Sequence, residues 1–266
     1  MNVRDQYAGI KRLAVGTPLG RFALATRDVW EFLRIRKEYA GTKVNDQLAT
    51  YYVARLCKPG ATFVDIGAHI GSTFAEVRHH LPTVKIIAVE AIPDKAKHLK
   101  AKFPWAQIIC GALSEKEGEV SFFVNVEQSG YSSLARNGSA VREITVPSIR
   151  LDQVVLADDV DVIKLDVEGA ELGVLRGAGD LVARCRPTIM FESGPGEVLG
   201  YSHEALFDWF VEHDYHIVLP NRLPHSGRPL TKEGFLEAHE YPFRSLNYFA
   251  VAAERVAEVR ERARTL

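Results

Sequence analysis

Cysteine is scarce in this chain: Cys57, Cys110 and Cys185 are the three among 266 residues, far apart and with no C-x-x-C pair. Three thiols cannot all pair within one chain, and reduced core thiols in a cytoplasmic protein are expected. A surplus of charge is missing too. The 33 Lys and Arg stand against 34 Asp and Glu, a formal net charge of −1. No global field selects nucleic acid or an anionic membrane, so neither is expected as a partner, although a local basic patch is compatible with this balance. Long apolar runs are absent as well. No stretch approaches the roughly 18 residues of a membrane-spanning helix, and "MNVRDQYAGIKRLAVG" has no apolar core of a secretion signal. The expectation is a soluble protein with no membrane span. There is no internal repeat and no low-complexity segment. What is present is 47% hydrophobic and 25% charged residues, enough for one sizeable core with little disorder.

From Phe63 to Pro195, short apolar runs alternate with helix-compatible segments, the pattern of an α/β protein whose parallel sheet is covered on both faces. The predicted strands are "TFVDIGA", "VKIIAVEA", "AQIICGALS", "DVIKLDVEGAE" running into a helix, and "RPTIMFESG". Between them lie the helical "STFAEVRHHL", "PDKAKHLKAKF" with Pro93 at a first helical position, and "LGVLRGAGDLVARC". The alternation breaks in the middle. "EKEGEVSFFVNV" carries a turn at Gly118 and "ITVPSIRLDQVV" reads as an edge piece, together an antiparallel excursion. Beyond the fifth strand come "PGEVLGYS", a Gly/Pro loop of the kind that covers a site, the helix "HEALFDWFVEHD" and the strand "YHIVLP". A polar stretch from Asn221 to Tyr241 precedes a last strand, "LNYFAVAA". Before Lys58, "VNDQLATYYVARLC" reads as a helix leading into the first strand, and Met1 to Gly41 as a helical or β cap. "ERVAEVRERARTL" puts Val256, Val259, Ala263 and Leu266 on one helical face, a docking stripe and a candidate homodimer face.

The most pointed stretch is "FVDIGAHIGS", Phe63 to Ser72. In an open α/β sheet, ligands bind beyond the carboxyl ends of the strands, where a glycine turn lets them approach the backbone and the next helix N-terminus. The dinucleotide fingerprint fails here, since its second and third glycines would fall at His69 and Ser72, and no G-K-[ST] follows Gly71 to make a phosphate loop. What is left is a turn with an acid, Asp65, two residues before Gly67, suited to an ammonium group or to loop amides. The second strand ends in Glu90, whose carboxylate suits a ribose diol. Gly111, Ala112 and Leu113 end the third strand with small and apolar surface for an adenine. Singly, each of these is more often a plain turn or a helix cap. In this order and spacing they describe S-adenosylmethionine better than a dinucleotide.

The ordered series "VDIGAHIG", "IIAVEAIPD", "GALSEKEGEVSFF", "GYSSL", "VPSIRLDQV", "IKLDVEGAELGVLRGA" and "RPTIMFES", with an echo in "NYFAVA", resembles the FkbM-type methyltransferases of the class I S-adenosylmethionine-dependent fold. The resemblance implies a Rossmann-like, mostly parallel sheet with helices on both faces. The likeness runs from about Val53 to Gly194, and the expected organisation is an N-terminal cap over residues 1–57, a methyltransferase core with a β-hairpin insertion over 58–253, and a C-terminal helix over 254–266. The resemblance further implies an enzyme that methylates a hydroxyl of a saccharide, polyketide or other natural product, with a small-molecule or glycan acceptor as partner. Carried over by residue, it implies that Asp65, Gly67 and Gly71 hold the methionine end of the cofactor, Glu90 the ribose, and Ala112 and Leu113 the adenine side. Ser133 of "GYSSL" would lie near the cofactor or acceptor pocket, and Asp166 would face the reacting end. His69 stands where the family usually carries Asn, which makes it a candidate modifier of the cofactor turn.

Methyl transfer from a sulfonium is an in-line displacement, and an alcohol acceptor needs a base or a metal ion to help remove its proton. Period-two alternation puts Lys164, Asp166 and Glu168 on one side of the fourth strand, and Glu192 ends the fifth. Asp166 and Glu192 are expected to converge as a base pair or, with Glu168 and water, as oxygen ligands for a magnesium-like ion. The plainer reading has Lys164 neutralise these acids and Glu168 cap the next helix. His203, after the Gly/Pro loop, and His69 are the histidine candidates for the base, while His79, His80, His98, His213 and His216 are given no role. Two other readings compete: ribose methylation of RNA, which the neutral composition opposes, and a non-catalytic binding protein on the cofactor fold, which the acids Asp65, Glu90 and Asp166 oppose.

Overall fold

A computed structural model of the chain describes residues 14–23, 26, 36–125, 141–194 and 200–266. Among the described residues the apolar runs become ten strands. The first five are β1 (Thr62–Ile66), β2 (Lys85–Glu90), β3 (Gln107–Cys110), β4 (Ala112–Leu113) and β5 (Gly118–Asn125). They are followed by β6 (Val141–Ile149), β7 (Val160–Leu165), β8 (Thr188–Glu192), β9 (Tyr215–Val218) and β10 (Asn247–Ala252). Seven form one sheet in the order β3-β2-β1-β7-β8-β10-β9. The pairs from β3 to β8 are parallel, and β10 is antiparallel to both β8 and β9. The order reverses between β1 and β7, which opens a crevice at their carboxyl ends.

Strand periodicity sorts the core into two faces. Val64, Ile66, Ile163, Leu165, Ile189 and Phe191 point to one face, and Phe63, Val162, Met190 and Phe249 to the other. The second face is covered by α1 (Ala40–Val53), α2 (Ser72–His80) and α3 (Pro93–Lys102), with Pro93 in the first turn as predicted. The first face is covered by α4 (Leu151–Val154), α5 (Glu171–Arg176), α6 (Gly179–Cys185), α7 (His203–Glu212) and α8 (Lys232–Ala238). The last helix, α9 (Val256–Arg264), returns to the second face. Among the described residues no helix is long and apolar enough to cross a membrane. All three cysteines are free, and burial pushes the Cys57 thiol up to about 12.

Four expectations need correction. The third predicted strand is two, because the chain turns at Gly111 (φ 158°) and β4 leaves the main sheet to pair with β6. There it forms a three-stranded sheet with the antiparallel β5–β6 hairpin, and the end of the predicted edge piece is the helix α4. The single helix after the fourth predicted strand breaks at Gly177, where a Cβ would stand 2.2 Å from the Ser114 carbonyl oxygen. The polar stretch after Asn221 contains α8, started by Thr231, whose hydroxyl accepts from the Gly234 amide at 3.1 Å. The stripe of α9 is covered from within: Val259 and Ala263 are buried in the chain's own core, so they offer no dimer face. At the amino ends of the strands Asp161 accepts from Arg262 Nη1 at 2.7 Å and from Arg255, which fastens α9 to the sheet.

Candidate functional site

The turn after β1 is shaped by close approach. Gly67 has φ 78°, and a Cβ on it would lie 1.9 Å from the Asp166 carbonyl oxygen, so no other residue fits. The amides of Gly67 and Ala68 both donate to the Val89 carbonyl at 3.0 Å. His69 is left-handed (φ 51°), a conformation that asparagine tolerates better than histidine. Its amide donates to Glu90 Oε2 at 2.8 Å, while Glu90 Oε1 accepts from the Ile92 amide at 2.9 Å. One carboxylate thus ties the turns after β1 and β2 together and keeps a further lone pair on each oxygen. Burial pushes Glu90 above the usual carboxylate range, opposed by Lys95 and the two amides.

Asp65 does not reach this turn's surface. It pairs in register with Ala88 on one side and Lys164 on the other, is completely buried, and meets a lysine rather than a ligand. Lys164 Nζ donates to the Gly67 carbonyl at 2.9 Å and lies 3.0 Å from Asp166 Oδ2 and 3.5 Å from Asp65 Oδ1. The last contact is an ion pair, and neither Asp65 oxygen has a hydrogen-bond partner among the described residues. Burial works against the Lys164 ammonium, but Asp166 and Asp65 outweigh it and hold the group above its ordinary value. Gly71, expected at the cofactor, is the left-handed N-cap of α2, and a Cβ there would meet Phe74 Cζ at 2.6 Å and Phe103 Cε2 at 2.8 Å. It packs on aromatic rings behind the turn.

The acids gather at the carboxyl ends of β7 and β8. Single oxygens of Asp166, Glu168 and Glu192 all lie within 4.8 Å of one another, and all three residues are half-buried. Asp166 shares a hydrogen bond with Glu192. Burial and the Asp166 charge push Glu192 far above the carboxylate range, so that it carries a proton. Burial also disfavours the Asp166 carboxylate, but Lys164 and the Glu192 bond prevail and hold it below its usual value. Glu168 is raised to about 7 by burial and by the charges of Asp166 and Glu171.

Glu168 does not cap the next helix; Ala170 holds that place with no side-chain bond. The carboxylate that organises this loop is Glu171, which sequence reading missed. It accepts from the Val167 amide at 3.2 Å, from the Gly169 amide at 3.1 Å and from the Tyr201 hydroxyl at 2.8 Å. Those bonds hold two successive left-handed residues, Glu168 (φ 52°) and Gly169 (φ 93°). The Gly200 amide adds a bond to the Gly169 carbonyl at 3.0 Å, so the chain around Tyr201 is latched to the acid loop.

A cavity opens above these groups, lined by Gly67, His69, Glu90, Ala112, Leu113, Asp166 and Glu168, with Lys95 and Lys164 contributing cations. Asp65, Gly71, Glu192 and His203 are outside its lining, and Ser133 lies outside the described residues. His203 Nε2 is 2.9 Å from the Gly194 carbonyl oxygen, and its ring is 3.8 Å from that of His239. His239, unassigned from sequence, is 2.9 Å through Nε2 from Ser193 Oγ, and burial and His203 push it down to about 4.

A glycine turn, an acid at the end of the second strand and an acid after the fourth parallel strand, all facing one crevice at a strand-order reversal, define a class I S-adenosylmethionine-dependent methyltransferase. Within that class the chain belongs to the FkbM methyltransferases: residues 65–217 match the Methyltransferase FkbM domain. Curated proteins give no match. Solved structures resemble it only slightly. A putative methyltransferase in complex with the Trm112 activator from Haloferax volcanii aligns with TM-score 0.44 and 13% identity, over 87% of this chain and 96% of that one. A TehB-like S-adenosylmethionine-dependent methyltransferase from Corynebacterium glutamicum gives 0.41 and 13%, over 77% and 85%. Precorrin-6y C5,15-methyltransferase from Geobacter metallireducens gives 0.40 and 14%, over 66% and 73%.

Proposed function

We propose that this methyltransferase acts on a hydroxyl group of a saccharide or natural product, and that the carboxylates at the ends of β7 and β8 handle the acceptor's proton. The observation that carries this reading is the convergence of Asp166, Glu168 and Glu192 beside the cavity, with Lys164 as their cation. S-adenosylmethionine, when bound, supplies an electrophilic methyl on a sulfonium. The chain fits it: Gly67 lets the turn close against the Asp166 carbonyl at the cavity wall, Glu90 keeps lone pairs for a ribose diol, and Ala112 and Leu113 offer apolar surface to an adenine. His69 would shape the turn at the methionine end. Asp65 supports that turn indirectly, by holding Lys164 against the Gly67 carbonyl.

Among the acids Glu168 is the best matched base, because a carboxyl near 7 is half ionised at neutral pH and strong enough to take a proton from a developing oxonium. Asp166, held ionised, faces the reacting end, and protonated Glu192 fixes its orientation. His203 is then a wall of the acceptor side, its Nε2 engaged with Gly194. A second reading has its own support. Three oxygens of hard character within 4.8 Å suit a magnesium-like ion, which would replace the proton on Glu192. Calorimetric titration with S-adenosylmethionine, followed by a hydroxyl-acceptor screen over glycans and polyketides with magnesium or with EDTA, tests both readings. Methyl transfer that survives EDTA and is lost in Glu168→Gln supports the base; transfer abolished by EDTA supports the ion. Methylation of nitrogen or carbon acceptors alone would sink the hydroxyl assignment.

A further inference from the structure

At the edge of the main sheet farthest from β3, between β9 and α9, lies a small depression that the proposed reaction does not use. Its floor is apolar, with Leu223, Val251 and Val259 all buried. Its rim is cationic. Arg222 and Arg228 come from the loop after β9 and Arg260 from α9, with His216 and His225 beside them, and no Asp or Glu lines it.

Arg222 and Arg228 are exposed, whereas Arg260 is half-buried on α9. On α9, Arg262 lies 3.3 Å from Glu258 and Arg264 lies 3.7 Å from Glu261. Arg260 has Val256, Ala257, Ala263 and Arg264 at its i±4 and i±3 positions, so no carboxylate is within helical reach. Its Nε is shielded from solvent without a hydrogen-bond partner among the described residues. The frame that presents the cations is tied down. Arg264 Nε donates to the Pro224 carbonyl at 2.6 Å, and the Leu230 amide donates to the Ile217 carbonyl at 2.8 Å, which brackets the loop carrying Arg228.

We propose that this depression binds a phosphate group borne by a small ligand, gripped by Arg222, Arg228 and Arg260. A guanidinium fork matches phosphate and carboxylate geometry alike, but a carboxylate occupies one fork, whereas a tetrahedral dianion can serve three. The site is a pocket and not a track. Glu258 and Glu261 interrupt the basic residues along α9, so no continuous stripe follows a polynucleotide backbone. It is also separate from the methyl-transfer cavity: three strand steps divide β9 from β7, about 14 Å at about 4.8 Å per step.

Calorimetric titration of the whole protein with inorganic phosphate and with glycerol phosphate, at ionic strength held constant with sodium chloride, tests the site. Saturable binding at a Kd of about 1 mM or tighter is expected, weakened at least about tenfold in Arg260→Gln and in Arg222→Gln. Both variants should keep the wild-type Tm and affinity for S-adenosylmethionine, so failure here is distinguishable from failure of the methyltransferase reading. Tighter binding of the ester would identify a phosphorylated metabolite as occupant, and equal or tighter binding of inorganic phosphate would identify the free ion. No saturable heat up to about 10 mM, or binding that both variants retain, would overturn the proposal. So would submicromolar binding of a random oligonucleotide abolished by the same substitutions.

Discussion

Replacing Lys164 by methionine tests the charge arrangement beneath the site, because the ammonium is the counter-ion of a completely buried Asp65. At 3.5 Å, two unit charges at an effective dielectric of about 20 attract by about 5 kcal/mol. The loss has a ceiling, because the stranded carboxyl can take a proton. From an unfolded value of about 3.9, protonation at pH 7 costs about 4 kcal/mol at about 1.36 kcal/mol per unit. The expected destabilisation is therefore about 3 to 4 kcal/mol at pH 7, within the range for breaking buried pairs. Asp166 also loses its cation at 3.0 Å, but the hydrogen bond it shares with Glu192 remains and it is half-buried, so its share is the smaller one. The sign of the pH dependence follows from Asp65. Burial raises its folded-state value, so stability linked to it is present below the unfolded value and lost as pH rises through the folded one. Relative to wild type, Lys164→Met should therefore recover up to about 2.7 kcal/mol between pH 7 and pH 5. Urea unfolding followed by circular dichroism at pH 7, 6 and 5 measures this. Adding Asp65→Asn should remove the pH-dependent part and leave about 1 to 3 kcal/mol for a buried amide without partners. A deficit that ignores pH would refute the reasoning: Asp65 would then be protonated in the wild type, and Lys164 would serve Asp166 alone.

Glu90→Gln keeps one accepting oxygen but turns an amide nitrogen toward the N–H of His69 or Ile92, so affinity for S-adenosylmethionine should fall by about 10- to 100-fold in calorimetry. An unchanged Kd would detach Glu90 from the cofactor. Glu171→Gln and Tyr201→Phe loosen the loop that holds Glu168, and amide hydrogen exchange at Val167 and Gly169 should accelerate by at least about tenfold in the first and by less in the second. Equal protection in all three proteins would mean that other contacts set this loop. Glu168, raised to about 7, favours folding at pH below its unfolded value and loses that contribution as pH rises through 7. Denaturation midpoints of Glu168→Gln should accordingly gain on the wild type between pH 5 and pH 8, and parallel curves would deny the raised value.

The parts of the fold visible in the sequence were those with a local cause. Short apolar runs such as "KIIAVE" became strands, Pro93 began a helix, and the strand ends put Gly67, Glu90, Ala112, Leu113 and Asp166 around one cavity. Glycines misled where their cause was distant. Gly177 breaks a helix because the Ser114 backbone presses on it, and Gly71 serves aromatic packing against Phe103 from a later helix's end. Neither neighbour is adjacent in sequence, and the same residue type in open space would have meant little.

The groups that sequence reading missed share a property: each acts through a partner far along the chain. Tyr201 reaches Glu171 across 30 positions and His239 reaches Ser193 across 46, while Lys164, expected only to neutralise the acids, also reaches the Gly67 carbonyl across 97. Asp65 shows why this matters for function. An acid at a strand end suits a ligand's ammonium or a lysine equally well in chemistry, and only geometry decides. Strand parity puts Asp65 on the face opposite Val64 and Ile66, and the β1–β7 register sets Lys164 beside it. The lysine therefore occupies the place inferred for a cofactor, and its remaining donor capacity goes to the Gly67 carbonyl and Asp166. The same lysine thus sets both the turn after β1 and the charge of Asp166. That coupling depends on β1 and β7 being neighbours, a fact of strand order that no local pattern in either strand contains.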